Sequence, residues 1–159
     1  MSTYRVYTDG AYSSARNQGG IGFVILKDDK EVARYSKMYK NSTNQRMEQM
    51  AAIVALESIS TPSEVTIISD SQYVVCTYTK NWKRKANLDL WKRFDAAIAF
   101  HTKVEFEWTK GHADDQYNKI CDKLAQEAAK RWWDAQPESF KKATTRPGSV
   151  KCKSVNRGK

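Results

Sequence analysis

The chain has 159 residues, of which 40% are hydrophobic and 28% charged, and this length and composition predict one compact globular domain. Because no run of about 18 apolar residues occurs, we expect no membrane-spanning helix and no membrane partner. The first six residues already alternate like a strand, which argues against a secretory signal peptide. Three scattered cysteines without a Cys-x-x-Cys pair favour a reducing compartment. We therefore expect a cytoplasmic protein, acting as a monomer.

The net charge of +9 is distributed unevenly along the chain. Residues 141–159 contain seven Lys or Arg and no acid, which leaves +2 (9 − 7) for the rest. A second basic stretch, residues 80–93, holds six Lys or Arg against one acid. Basic clusters on a nearly neutral body indicate a polyanionic partner such as nucleic acid. Charge alone leaves open the alternative that the tail only improves solubility.

Hydrophobic periodicity divides the chain into strand and helix segments. Three strand patterns come first, and a turn at residues 28–30 predicts a hairpin between the second and the third. Helical spacing then alternates with two short strands. We predict strands at residues 4–9, 20–26, 32–39, 65–70 and 104–109, and helices around residues 47–55, 71–78, 90–98 and 120–133.

This order of elements predicts an α/β fold in which helices pack on a mixed sheet. Strands joined through a helix should be parallel, with right-handed crossovers. After residue 137 the periodicity fails, and small, basic and turn-forming residues dominate. We predict a domain at residues 1–136 and a basic, poorly ordered C-terminal tail at residues 137–159.

Four acidic residues lie where the predicted elements can bring them together. Asp9 and Asp70 each close a strand, Glu48 lies early in the helix before the fourth strand, and Asp122 lies early in the last helix. Ligand sites in open α/β sheets lie beyond the carboxyl ends of the strands. Each acid alone is more often a turn, cap or solvated residue, so only the set of four indicates a site.

Carboxylates held close together repel each other, which costs stability unless a cation is bound between them. Hard divalent cations prefer oxygen ligands, and Mg²⁺ takes one or two carboxylates together with water and phosphate oxygens. Two such ions can promote hydrolysis of a phosphodiester. These considerations favour a metal-dependent phosphodiesterase, and they leave its substrate open.

Several segments resemble one known family, type 1 ribonuclease H, the cellular enzyme that degrades RNA paired with DNA. The matches occur in the order of that family and span about residues 4–130. The matching segments are TDG at 8–10, NQRMEQMAA at 44–52, DSQYV at 70–74, DLW at 89–91, KGHA at 110–113 and CD at 121–122.

The resemblance implies a ribonuclease H-like fold with a five-stranded mixed sheet flanked by helices. It implies an endonuclease that cuts the RNA strand of RNA–DNA hybrids and leaves 5′-phosphate and 3′-hydroxyl ends. Two Mg²⁺ ions, with Mn²⁺ as a substitute, would be held by Asp9, Glu48, Asp70 and Asp122. His112 matches a histidine on a flexible loop that assists turnover near the second metal, the alternative being a loop residue without a role.

Substrate contacts are also implied by the resemblance. Gly10 would allow close backbone approach, and the side-chain amides of Asn44 and Gln72 match positions that face the minor groove, where 2′-hydroxyl groups distinguish RNA from DNA. Thr43 is a candidate for a contact with a DNA phosphate. Asn44 has the alternative role of a helix cap.

The basic segment after the DSQYV motif departs from the pattern of the family. Many members carry a longer basic helical protrusion there, whose lysines and tryptophans grip the DNA strand. Here the segment is short, and Trp82, Lys83 and Arg84 are the residues that match its remnant. We expect these three residues to contact the hybrid.

Three alternatives remain open on the sequence. One is another nuclease of the same fold, such as a resolvase or a transposase-like domain, against which Asn44, Gln72 and the KGHA loop argue. A second is a catalytically silent hybrid-binding module, which would be expected to lack one of the four acids. A third is a domain detached from a reverse transcriptase.

Overall fold

The computed structural model describes residues 3–110 and 116–135. Its elements are β1 (Thr3–Ser13), β2 (Gln18–Lys27), β3 (Lys30–Lys40), α1 (Asn44–Ser58), β4 (Glu64–Ser69), α2 (Gln72–Thr79), α3 (Leu88–Phe100), β5 (Lys103–Trp108) and α4 (Gln116–Asp134). The predicted α/β class and the predicted order of elements are confirmed. The boundary predicted between residues 136 and 137 lies outside the described residues and stays a prediction, as does the basic tail.

The five strands form one mixed sheet in the order β3-β2-β1-β4-β5, which confirms the predicted architecture. β2 pairs antiparallel with β1 and with β3, and β4 pairs parallel with β1 and with β5. The β2–β3 hairpin turns at Asp28 and Asp29, whose φ angles are 52° and 64°. Two consecutive positive φ angles suit a two-residue hairpin turn, and aspartate tolerates them better than most residues.

Helices cover both faces of the sheet, and β2 is therefore buried on both faces. Phe23 and Ile25 belong to a core cluster that includes residues of α1, α2 and α3. Val24 and Leu26 belong to a second cluster with Cys121 of α4. Alternate side chains of a strand point to opposite faces of the sheet. The continuous apolar run of β2 therefore packs against α4 on one face and against α1, in the cluster shared with α2 and α3, on the opposite face.

Buried polar groups join the ends of several elements at the edge of the sheet where β4 begins. His101 caps the C-terminal end of α3 and is only 6% exposed. Its Nε2 lies 2.9 Å from the carbonyl oxygen of Leu56, and the backbone N–H of Ser63 donates to its Nδ1 at 3.2 Å. Because Nδ1 accepts, the imidazole is neutral and carries its proton on Nε2.

Within the described part of the chain, no helix is long and apolar enough to cross a membrane.

Candidate active site

The parallel pairing of β1 with β4 places Asp9 and Asp70 side by side. Thr8 pairs with Ser69, and each of these residues is followed directly by one of the two aspartates. Asp9 is 3% exposed, and Asp70 is partly buried. Asp70 follows the carboxyl end of β4 as predicted, whereas Asp9 lies within β1, which continues to Ser13. Both acids lie where the parallel pairing of β1 with β4 ends, at the edge where α/β sheets bind ligands.

Glu48 reaches the same edge because α1 packs directly on Gly10. A Cβ atom at Gly10 would lie 2.4 Å from the backbone carbonyl carbon and oxygen of Met47 and 2.6 Å from the amide nitrogen of Glu48. Only glycine permits this approach. Glu48 is 2% exposed, and its Oε1 accepts a hydrogen bond of 2.7 Å from the hydroxyl of Ser71, the residue after Asp70. Ser71 thus connects Glu48 to the end of β4.

Asp122 is brought toward this edge by the docking of α4 on β1 and β2. A Cβ atom at Gly22 would lie 2.5 Å from the carbonyl oxygen of Cys121, and the thiol of Cys121 donates to the carbonyl oxygen of Tyr7 at 3.1 Å. Asp122 follows Cys121, is partly buried, and accepts a hydrogen bond of 3.0 Å from Gln126 at Oδ1. It lines a cavity of about 530 Å³ between α4 and the β1–β2 connection.

The fold brings the acids to one region, and several of their carboxylate oxygens are buried there. Buried carboxylate oxygens occur in three of them, namely Oδ1 of Asp9, Oε2 of Glu48 and Oδ1 of Asp70. Within residues 3–110 and 116–135, no three His, Cys, Asp or Glu side chains form a group that could hold a metal ion.

Two residues outside the predicted set support the acidic edge. One is Ser71, described above, whose hydroxyl also caps α2 by accepting from the amide of Val74 at 3.2 Å. The other is Trp108, the last residue of β5, whose indole N–H donates to the backbone carbonyl of Asp70 at 3.2 Å while its side chain stays 47% exposed. Ser71 directly follows Asp70, and this position next to a predicted acid was the available sequence signal. No local pattern indicates the contact of Trp108 with Asp70, which lies 38 residues away.

Three of the residues predicted to contact the substrate lie at the starts of helices near the acids. Thr43 is the N-cap of α1, and its hydroxyl accepts from the amide of Arg46 at 3.1 Å. Asn44 is 8% exposed, and its Oδ1 accepts from the amide of Tyr12 at 2.9 Å, which fixes the side chain against β1. The alternative that Asn44 is the cap does not hold, since Thr43 performs that role. Gln72 begins α2 and is exposed.

The basic segment between α2 and α3 is exposed, and its side chains differ in direction. Trp82 is 45% exposed, and Lys83 is also exposed. Arg84 forms a bidentate ion pair with Asp95 of α3, with N–O distances of 2.6 and 3.0 Å. His112 lies outside the described residues. Its role and the substrate contacts of this segment stay predictions.

Comparison with known proteins defines the class to which this fold and site belong. A family model described as RNase H matches residues 1–130. The chain therefore belongs to the RNase H family, and it is a nuclease; the resemblance to the type 1 enzymes is confirmed.

Similarity to individual proteins covers most of the chain. A ribonuclease H of Serratia proteamaculans is 44% identical over 142 residues, which cover 81% of this chain and 90% of that protein. A ribonuclease H of Pseudoalteromonas translucida is 41% identical over 140 residues, covering 80% and 90%.

Solved structures share the fold at lower identity. The N-terminal RNase H domain of a Mycobacterium tuberculosis protein has a TM-score of 0.75 at 22% identity and covers 85% of this chain and 99% of that one. LC11-RNase H1, solved in complex with an RNA/DNA hybrid, has a TM-score of 0.72 at 21% identity and covers 82% of this chain and 99% of that one.

Proposed function

We propose that this protein is an endonuclease that hydrolyses the RNA strand of RNA–DNA hybrids and leaves 5′-phosphate and 3′-hydroxyl ends. The observation that carries the proposal is that Asp9 and Asp70 each directly follow the last β1–β4 pair, Thr8–Ser69, with Glu48 joined to that edge through Ser71. Membership of the RNase H family supports the reaction class. The hybrid bound to LC11-RNase H1 supports the substrate class.

The donor set fits divalent metal ions. Asp9, Glu48, Asp70 and Asp122 offer only carboxylate oxygens, which are the ligands that Mg²⁺ prefers, and Mn²⁺ accepts the same donors. We propose that these four residues hold two ions, which would supply charge stabilisation to the phosphodiester and lower the pKa of a water. Binding would also relieve the repulsion between the acids and draw them together.

The surrounding residues hold these groups in place. The Ser71 hydroxyl fixes one carboxylate oxygen of Glu48, Oε1, and the other oxygen, Oε2, is also buried. The indole of Trp108 holds the backbone of Asp70 from the side of β5. Residues that orient ligating carboxylates typically change activity or metal affinity about 10- to 100-fold when they are mutated. Both are therefore part of the proposed site.

Substrate selection is proposed to rest on the starts of α1 and α2. Asn44 is held by Tyr12 against the strand that carries Asp9, so its amide has a fixed position relative to the acids. Gln72 is two residues from Asp70 and is exposed to an incoming strand. Side-chain amides can donate to and accept from 2′-hydroxyl groups, which DNA lacks. We also propose that His112 assists turnover. The cytoplasmic location and the monomeric state of the protein stay predictions.

Cleavage of matched labelled substrates tests the proposal. RNA–DNA hybrid, duplex RNA and duplex DNA of one sequence would be incubated with the protein, with and without Mg²⁺, and the product ends identified. We expect cleavage of the RNA strand of the hybrid alone, dependent on Mg²⁺ and producing 5′-phosphates. Cleavage of duplex DNA or of branched DNA would favour a resolvase-like nuclease instead. Binding of the hybrid without cleavage would favour the silent module.

A further inference from the structure

The basic segment between α2 and α3 is held at both of its ends. Asn81 and Asn87 have φ angles of 55° and 58°, a conformation that asparagine tolerates. After Asn81, the amide of Trp82 donates to the carbonyl of Cys76 at 3.4 Å. The side chain of Asn87 accepts from Arg46 at 3.2 Å and donates to the hydroxyl of Tyr73 at 3.0 Å. Both ends of the segment are therefore joined to the helices.

Between these ends, Arg84 turns back onto the body of the protein. Its Nη1 and Nη2 bind the two carboxylate oxygens of Asp95 at 2.6 and 3.0 Å. Its guanidinium lies 5.1 Å from the ring centre of Tyr78 and 5.4 Å from that of Trp91. The Tyr78 hydroxyl donates to Oδ1 of Asp95 at 2.8 Å, which fixes the acceptor as well. A bidentate, stacked arginine has a geometry that lysine cannot reproduce.

The side chains next to Arg84 in the sequence have a different environment from that of Arg84. Within residues 3–110 and 116–135, no ion pair involves Lys83 or Lys85, and both residues are exposed. Trp82 is 45% exposed. We propose that Arg84 is a positioning residue whose clamp with Asp95 holds Lys83, Lys85 and Trp82 outward to contact the backbone of the hybrid. This inference rests on the proposed function, and it reassigns Arg84 from a substrate contact to an internal anchor.

Removal of Asp95 distinguishes an anchor from a phosphate contact, because the two roles predict opposite effects. If Arg84 contacted phosphate, Asp95→Asn would release its guanidinium, remove a negative charge and tighten hybrid binding. If Arg84 is an anchor, Asp95→Asn loosens the segment and weakens the contacts of the lysines. Glu57→Gln is a matched control, since Glu57 forms a similar bidentate pair with Arg93 at 2.6 and 2.8 Å.

Two measurements would be made on the full chain. Hybrid dissociation constants would be measured without divalent metal at about 0.1 M salt, where each lost phosphate contact weakens binding up to roughly tenfold. Amide hydrogen exchange of residues 80–87 would be followed in the free protein. We expect Asp95→Asn to weaken binding about three- to tenfold and to speed exchange, and Glu57→Gln to change neither. The double variant of Arg84→Gln with Asp95→Asn should bind no more weakly than Arg84→Gln alone.

A second variant tests the lysines with the anchor left intact. Lys83→Gln combined with Lys85→Gln should weaken binding and lower the log–log salt slope by about 1 to 2, with unchanged exchange. Unchanged or tighter hybrid binding by Asp95→Asn would overturn the inference, and so would unchanged exchange. If the wild-type protein neither cleaves nor prefers the hybrid, the proposed function fails, whereas the exchange measurement still decides whether Arg84 anchors the segment.

Discussion

Buried polar groups have opposite effects on stability at two opposite edges of the sheet. Where β4 begins, the neutral ring of His101 uses both nitrogens to join the ends of α1 and α3 to the strand. Where the β1–β4 pairing ends, Asp9 and Glu48 are even less accessible than His101, yet they bring like charges into one region. Satisfied buried hydrogen bonds support a fold, whereas neighbouring buried acids oppose it. We infer that one edge serves stability and the other serves chemistry.

The largest expected effect lies at the acidic edge. Asp9→Asn or Asp70→Asn should reduce hybrid cleavage by more than about a hundredfold, since loss of metal-based charge stabilisation costs several kcal/mol in the transition state. Without metal, the melting temperature should rise, because asparagine removes one repelling charge at nearly constant shape. Cleavage assays and thermal melts in EDTA measure the two effects.

Asp28→Asn is the matched control for that experiment. Asp28 lies in the β2–β3 turn with a φ of 52°, a conformation that asparagine also tolerates. The same chemical change there should leave cleavage unaltered. Full activity of the Asp9 and Asp70 variants would remove the basis for the metal-binding proposal.

Which parts of the site could be predicted from the sequence depends on whether a residue's position is set by local periodicity or by tertiary packing. Asp9 and Asp70 could be placed because the strand periodicity ends where the β1–β4 pairing ends and the βαβ order makes β1 and β4 parallel. The link from Ser71 to Glu48 spans 23 residues, and no local pattern predicts it. Arg84 shows the same limit, since its sequence context is basic while its partner Asp95 lies on the next helix.

Boundaries of elements were harder to predict than their existence. The sequence predicts the first strand at residues 4–9, whereas β1 continues to Ser13. The extension pairs with β2 from Gly10–Ile21 to Ser13–Gln18, beyond the last β1–β4 pair, Thr8–Ser69. The apolar alternation ends where the parallel partner ends, and the remaining residues are held by pairing with β2 and by contacts with α1, such as the hydrogen bond from Tyr12 to Asn44. Tertiary pairing therefore lengthened the strand beyond its periodic signal.

The next effect lies at the opposite edge of the sheet and concerns stability. His101→Ala should lower the free energy of unfolding by about 1–3 kcal/mol, because it leaves the amide of Ser63 without its acceptor and removes one of the two donors to the Leu56 carbonyl. The rate of hybrid cleavage by the folded protein should be unchanged. His101→Gln, which can both donate and accept, should recover part of the loss. Urea denaturation provides the measurement, and a large loss of catalytic rate without loss of stability would contradict the assignment of this edge.

A smaller effect on activity is expected at Ser71, whose hydroxyl both binds Glu48 and caps α2. Ser71→Ala removes the hydrogen bond to Glu48, and we expect activity at limiting Mg²⁺ to fall about tenfold, with a higher Mg²⁺ concentration needed for half-maximal rate. It also removes the N-cap of α2, which should cost about 1 kcal/mol.

Ser58→Ala is the control for Ser71→Ala. Ser58 donates to the carbonyl of Val54 at 2.7 Å near the exposed end of α1, so its loss removes a hydroxyl that no acid uses. An equal Mg²⁺ requirement in the Ser71 variant and in the wild type would show that Ser71 acts on α2 alone.

The smallest expected effect is a pH dependence at the ion pair that joins α1 to α3. Hydrogen bonds from Arg46 lower the pKa of Asp89 to about 2 from its ordinary value of 3.8. A carboxyl whose pKa is lowered by folding stabilises the protein above its unfolded pKa, and that contribution is lost as the pH falls through the folded pKa. The free energy of unfolding should therefore decline between pH 3.8 and about 2, and Asp89→Asn should make this decline shallower. Because Asp89 is exposed, the effect should shrink at high salt. An identical pH profile for wild type and Asp89→Asn, measured by urea denaturation, would show that this ion pair does not stabilise the fold.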